Sequence, residues 1–323
     1  MSNFNTVKSV CAVSFLALLS APAMADDGPV LKIENFIGTV EIVTSNTGKI
    51  VVNEADGANV MRSGGNLTID DDISIRSYNC RYKKEKAYIG KGKWGWNSGG
   101  KGFRSIDEYP SVKISAPVGV HVEIDRSILF GNVDDIGSAH LHIGSCGDMT
   151  FGDVSGRLDL SVSGSGDVIM GSAGVSDISV SGSGDVTAKN LASADIHVSG
   201  SGDLELGDIA GATDIGSSGA GDVEIDSIGG GLSLHSSGAS DLEIDSVTGG
   251  DLTIRVSGSS DVTIKDGNVD TLFIKASGAS DVTYGGKSVD AEARASGASD
   301  INIHNPSGRL RTSDSGAADV NIR

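Results

Sequence analysis

Between Ile178 and Ala188 apolar or very small residues alternate strictly with polar ones. Ile178, Val180, Gly182, Gly184, Val186 and Ala188 fall on one face of an extended chain, and Ser179, Ser181, Ser183, Asp185 and Thr187 on the other. The parity returns 74 residues later: Leu252, Ile254, Val256, Gly258, Ser260, Val262 and Ile264 face in, while Thr253, Arg255, Ser257, Ser259, Asp261 and Thr263 face out. A period of two predicts half-buried strands. Residues 189–194 and 266–269, rich in small and polar side chains, predict a second turn between strands.

The alternation is itself repeated. A Ser-Gly-(Ser/Ala)-(Gly/Ser/Ala)-Asp pentad ends at Asp167, Asp185, Asp203, Asp222, Asp241, Asp261, Asp281, Asp300 and Asp319, after a degenerate copy ending at Asp148. The aspartates step by 18 to 20 residues, a near-constant phase that marks the coils of a solenoid. Each coil reads as a strand bent around the pentad plus a return turn, so the expected fold is an all-β parallel β-helix with coils of about 19 residues. Rungs spaced about 4.8 Å apart would make ten copies a rod roughly 45 Å long. The crossover rule favours right-handed winding. Pentad position two is Gly in all nine full copies whereas position four drifts, so a positive-φ requirement is expected only at position two.

The reiterated Val-Ser-Gly-Ser-Gly-Asp-Val units at 162–168 and 180–186, with the lead-in Tyr-Pro-Ser-Val-Lys-Ile-Ser-Ala-Pro-Val-Gly-Val from Tyr109, resemble secreted bacterial proteins of the auto-transporter adhesin, head GIN domain family. The resemblance covers about residues 107–323, and 31–43 more loosely. It implies a parallel β-helical solenoid and an adhesin-like surface role. An autotransporter would go on to the amphipathic strands of a membrane barrel, which are not found after the last pentad.

Composition narrows the remaining choices. With 46 Gly and 5 Pro in 323 residues, helical bundles and collagen are excluded, and 38% hydrophobic residues exclude disorder. Lys8, an apolar run from Val10 to Leu19 and Ala23-Met24-Ala25 read as a secretory signal peptide over residues 1–25. This divides the chain into that leader, a β region over 26–130 with a basic aromatic insert at 78–109, and the repeat domain over 131–323. The expected location is exported: periplasmic, outer-membrane-associated or secreted. No run of 18 apolar residues predicts a transmembrane span. Cys80 and Cys146 would both remain in a compartment that permits a bridge.

The net charge of −18 argues against nucleic acid. The insert runs against that trend, for Lys83, Lys84 and Lys93 interleave there with Tyr82, Tyr88, Trp94, Trp96 and Phe103. It reads either as a hairpin with a solvated lysine face or as a contact patch for an envelope glycan, a lipid headgroup or a surface protein. The outward column Asp167, Asp185, Asp203, Asp222, Asp241, Asp261, Asp281 and Asp300 poses a different problem. Neighbouring carboxylates at rung spacing would repel by about 1 kcal/mol even in water. Hydrogen bonds from their own turns or from neighbouring serines would offset this, and a ladder of calcium ions is the alternative.

The six histidines show no metal-ligand spacing, and there is no nucleophile elbow, phosphate loop or triad. A non-enzymatic adhesin-like solenoid is therefore the leading reading, ahead of a calcium-stabilised scaffold and a carbohydrate-active β-helix enzyme. Self-association through an open C-terminal rung is expected as well.

Overall fold

The computed structural model describes residues 28–84, 86–91 and 102–323, so the leader at 1–25 lies outside the described residues. Strand accounts for 64% of the structure, as a β-solenoid of about 11 parallel turns some 19 residues apart. The only helical segments among the described residues are two 3-10 turns, Ile75–Ser77 and Ile106–Glu108. No helix among them is long and apolar enough to cross a membrane.

Alternation becomes a tube because each inward residue stacks on its equivalent one coil away. Ile33, Ile124, Leu141, Leu160, Ile178, Ile196, Ile215, Leu234, Ile254 and Ile274 form one unbroken column in register. All are buried, and burying each such side chain contributes about 1.5–3 kcal/mol. One hydrophobic core runs from Leu31 to Ala318. Along the chain, a short strand after each pentad (Val168–Met170, Val186–Ala188) alternates with a longer one (Ala173–Val180, Leu191–Val198).

The parallel stacking includes the N-terminal region. Val30–Glu34 lies between Asn66–Asp70 and His121–Asp125, and Ile37–Ser45 lies between Ser111–Pro117 and Ile128–Val133. Beyond them the pairing turns antiparallel, with Val51–Ala55 on Ser111–Pro117 and Val60–Ser63 on Asn66–Asp70. These antiparallel strands cover a parallel edge that would otherwise invite pairing with another chain. At the opposite end Leu310–Gly316 and Asp319–Ile322 each pair with a single neighbour.

Two local expectations need correction. Gly258, read as inward-facing, is exposed, because the later pentads turn outward at position two. Residues 266–269 do not interrupt the strand either. Val262–Gly278 is one continuous strand, bent where Gly267 takes φ +145°.

Candidate functional site

The insert forms a second, three-stranded antiparallel sheet from Tyr78–Lys83, Lys86–Lys91 and Phe103–Ser105. It has a core of its own. Ile75, Ala87, Ile89, Ile106 and Tyr109 pack over Ile37, Ile128 and Cys146 on the outside of the solenoid. The Tyr109 hydroxyl donates to the carbonyl of Ile89 at 2.9 Å, closing that core from within. Cys80 is bonded to Cys146 across 66 residues, which ties the insert to the repeat at the degenerate pentad. Closing a loop of that length removes about 4 kcal/mol of unfolded-chain entropy.

The footprint of the insert had a sequence signal that strand parity alone overlooks. In an alternating chain two adjacent apolar residues cannot both face the tube, yet Phe36-Ile37 and Ile128-Leu129 are all buried. Phe36 and Leu129 enter the main core, and Ile37 and Ile128 enter the second one.

Of the expected contact residues, Tyr82, Lys83 and Lys84 are exposed and Tyr88 and Phe103 are half-buried. Lys93, Trp94 and Trp96 lie outside the described residues. Several cations of the insert stack on rings within it: Arg81 over Phe103 at 4.7 Å, Arg104 over Tyr109 at 4.4 Å and Lys91 over Tyr78 at 5.0 Å. The Tyr82 hydroxyl donates to the two carboxylate oxygens of Asp148 at 3.2 and 3.3 Å. Burial and the adjacent carboxylates of Asp148 and Asp167 hold this phenol above the usual tyrosine range. Beside that contact, a groove of about 390 Å³ is bounded by Tyr78 and Cys80 on the insert and by Ser145, Ser163, Ser165 and Ser183 on the pentad face. It is a polar trough with one aromatic wall.

The aspartate column solves its repulsion through the backbone. The Oδ1 atoms of Asp148, Asp167, Asp185, Asp203 and Asp222 each accept the backbone N–H of the aspartate one rung on, at 2.9–3.3 Å. Asp261, Asp281 and Asp300 do the same at 3.1–3.3 Å. The partner is therefore the next rung, and not the residue's own turn or a serine hydroxyl as the sequence suggested. A hydrogen bond to a charged acceptor is roughly twice as strong as a neutral one, which offsets the rung-to-rung repulsion. A shorter ladder of the same kind runs along another corner: Asp135 accepts from the Asp153 N–H at 2.8 Å, and Asp153 from Ser172 at 2.7 Å.

Among the described residues no group of three or more His, Cys, Asp or Glu side chains is arranged to hold a metal ion. His140 pairs with Asp159 at 3.1 Å.

In comparison with known proteins, residues 232–323 match the family model described as "Putative auto-transporter adhesin, head GIN domain". No match is found among curated proteins or among solved structures.

Proposed function

Taking the adhesin-family match of residues 232–323 as the premise, we propose that this chain is an exported, non-enzymatic, adhesin-like solenoid whose insert contacts the bacterial envelope or a surface partner. The carrying observation is the construction of the insert. It has a separate core and a disulfide to the rod, it walls the polar trough with Tyr78 and Cys80, and it exposes Tyr82, Lys83 and Lys84. A rigid platform spends little entropy on ordering itself when it binds. Lys93, Trp94 and Trp96, with Tyr88 and Phe103, complete the set of aromatic and cationic groups, and such groups suit an anionic glycan, a lipid headgroup or an acidic protein face. The Cys80–Cys146 bridge fits an oxidising compartment outside the cytoplasm.

Cosedimentation with purified bacterial envelopes and with phosphatidylglycerol vesicles tests the reading. The double substitution Trp94→Ala, Trp96→Ala is expected to abolish binding while leaving the thermal midpoint unchanged. Binding that survives both substitutions would overturn the assignment to the insert.

A further inference from the structure

One outward column of the rod holds no acid. Through the parallel register of the longer strands it runs His142, Ser161, Ser179, His197, Gly216, His235, Arg255, Lys275, Arg294 and Ser313, one residue per rung. The chain carries 43 acidic residues against 25 Lys and Arg, so a column of this length without a carboxylate stands apart. The column two residues nearer the start of each strand is different. It carries Asp159, Asp177, Asp195 and Asp214 on the early rungs, then Ser233, Thr253, Phe273, Glu292 and Arg311. Arg255, Lys275 and Arg294 therefore stack in one row, a rung apart, and all three are exposed. Like charges side by side in a sheet are unfavourable.

Internal contacts hold this row in place without neutralising it. Arg255 and Arg294, one rung to either side of Phe273, lie over its ring at 5.0 and 5.8 Å. A ring holds a guanidinium without consuming its N–H groups, which stay available to an acceptor. Arg255 also donates to Nε2 of His235 at 3.3 Å. Lys275 makes no ion pair among the described residues. Of the acids on these rungs, Glu292 pairs with Arg294 and Asp290 with Arg309, while Asp251 and Asp270 stand near the far end of the rung. On its other side the row is flanked by Ser257, Ser277 and Ser296, one on each rung, and Asp261, Asp281 and Asp300 follow only past the pentad corner.

We propose that this row binds one strand of a linear acidic polysaccharide that carries a carboxylate on each sugar, laid along the rod axis. Rungs repeat at about 4.8 Å. An extended chain of pyranose rings advances by nearly that step per sugar, so a carboxylate can meet a cation at each rung. Arginine takes a carboxylate through two parallel N–H donors, and the lysine between the two arginines supplies a point charge. The serine hydroxyls beside the row suit the hydroxyls of the sugars. From His235 to Arg294 the row spans about 14 Å, the length of three or four sugars. Toward the N-terminal end Asp177, Asp195 and Asp214 in the neighbouring column repel a polyanion and set the limit of the site. A bilayer or a nucleic acid fits less well, because a broad anionic surface also meets Asp251, Asp290 and Glu292, whereas a single strand follows the row alone. The site lies within the family-matched residues 232–323 and stands whether or not the insert binds.

Calorimetric titration of the whole chain with short sodium alginate fragments decides the matter. Binding is expected at low ionic strength and its loss near 1 M salt, where the screening length falls to about 3 Å. Dextran fragments, which have no carboxylate, are expected not to bind. Lys275→Glu is expected to weaken alginate binding about tenfold or more, and Lys275→Gln severalfold. Thermal midpoints should stay at the parent value in both variants, because Lys275 is exposed and holds no ion-pair partner in the fold. Trp94→Ala, Trp96→Ala should leave alginate binding unchanged, so failure of this site and failure of the insert are told apart. An absence of alginate binding overturns the proposal, as does binding that survives Lys275→Glu. Attachment to phosphatidylglycerol vesicles through Lys275, with none to alginate, would also overturn it and assign the row to a lipid surface.

Discussion

The pentads ending at Asp167, Asp185, Asp203 and Asp222 and those ending at Asp261, Asp281, Asp300 and Asp319 occupy the same place in the coil but turn the chain by different means. In the first set neither glycine has positive φ, and both lie against the carbonyl of the rung below. A Cβ on Gly182 would sit 1.9 Å from the Gly164 oxygen, and one on Gly184 would sit 2.1 Å from that of Gly166. In the second set position two takes φ of +108°, +94°, +91° and +87° at Gly258, Gly278, Gly297 and Gly316. Position four no longer needs to be bare, and Ser260, Ser280 and Ser299 are fully buried there. Their hydroxyls are bonded: Ser236 donates to Ser260, and Ser299 donates to the Ser296 carbonyl at 2.9 Å. The pentad ending at Asp241 lies between the two sets: Ser240 is already buried at position four while Gly238 keeps the earlier φ and close approach, so the drift from Gly to Ser begins one coil before the backbone changes to a left-handed glycine at Gly258.

The sharpest way to break this comparison is to place the later residue in the earlier corner. Gly184→Ser puts a Cβ where the Gly166 carbonyl already lies, on a backbone held by rungs on both sides. The cost is expected to be about 3 kcal/mol or more, read as a lower midpoint in urea and faster amide exchange at Val168 and Val186. A variant as stable as its parent would mean that the two corners interconvert freely, and that the difference between them carries no energy.

The complementary change is milder. Ser299→Ala removes a hydroxyl that donates to the Ser296 carbonyl and accepts the Ser296 N–H at 3.3 Å, in a site with no access to water. Leaving those backbone groups without that partner should cost about 1–2 kcal/mol in the same urea measurement. Parent-like stability would show that the left-handed glycine alone sets the later corner.

How far the sequence anticipated all this depends on whether a feature repeats. Pentad phase, strand parity and the inward isoleucine column were legible because each recurs every 18 to 20 residues, and a parallel stack makes the recurrence spatial. The positive φ at position two was legible only in part. It holds from Gly258 onward and fails at Gly164, Gly182, Gly200, Gly219 and Gly238, since an invariant glycine answers equally to torsion and to close approach. The insert occurs once, so its second core had no repeat to reveal it. Its signal lay instead in the broken parity at Phe36-Ile37 and Ile128-Leu129. The aspartate ladder was visible as a column, but its partner was not. A donor one coil away is about 19 residues distant in sequence, whereas the familiar Asx patterns reach only a few.

That ladder is the feature the two kinds of corner share, which makes calcium the finest test of how alike they are. Asp185 accepts the N–H of Asp203 in the early corner as Asp281 accepts that of Asp300 in the later one, at 2.9 and 3.1 Å. Calcium seeks six to eight oxygens, and a column offering one carboxylate per rung, already turned toward backbone donors, provides a poor cage. Thermal unfolding with millimolar calcium and with chelator, at matched ionic strength, is therefore expected to give the same midpoint. An ion that binds only the folded chain must raise the midpoint by mass action, so a rise of many degrees would show that the second carboxylate oxygens bridge cations between rungs. If such a rise were lost in Asp185→Asn but kept in Asp281→Asn, the close-stacked corners alone would hold the ions, and the two pentad types would differ in chemistry as well as in backbone.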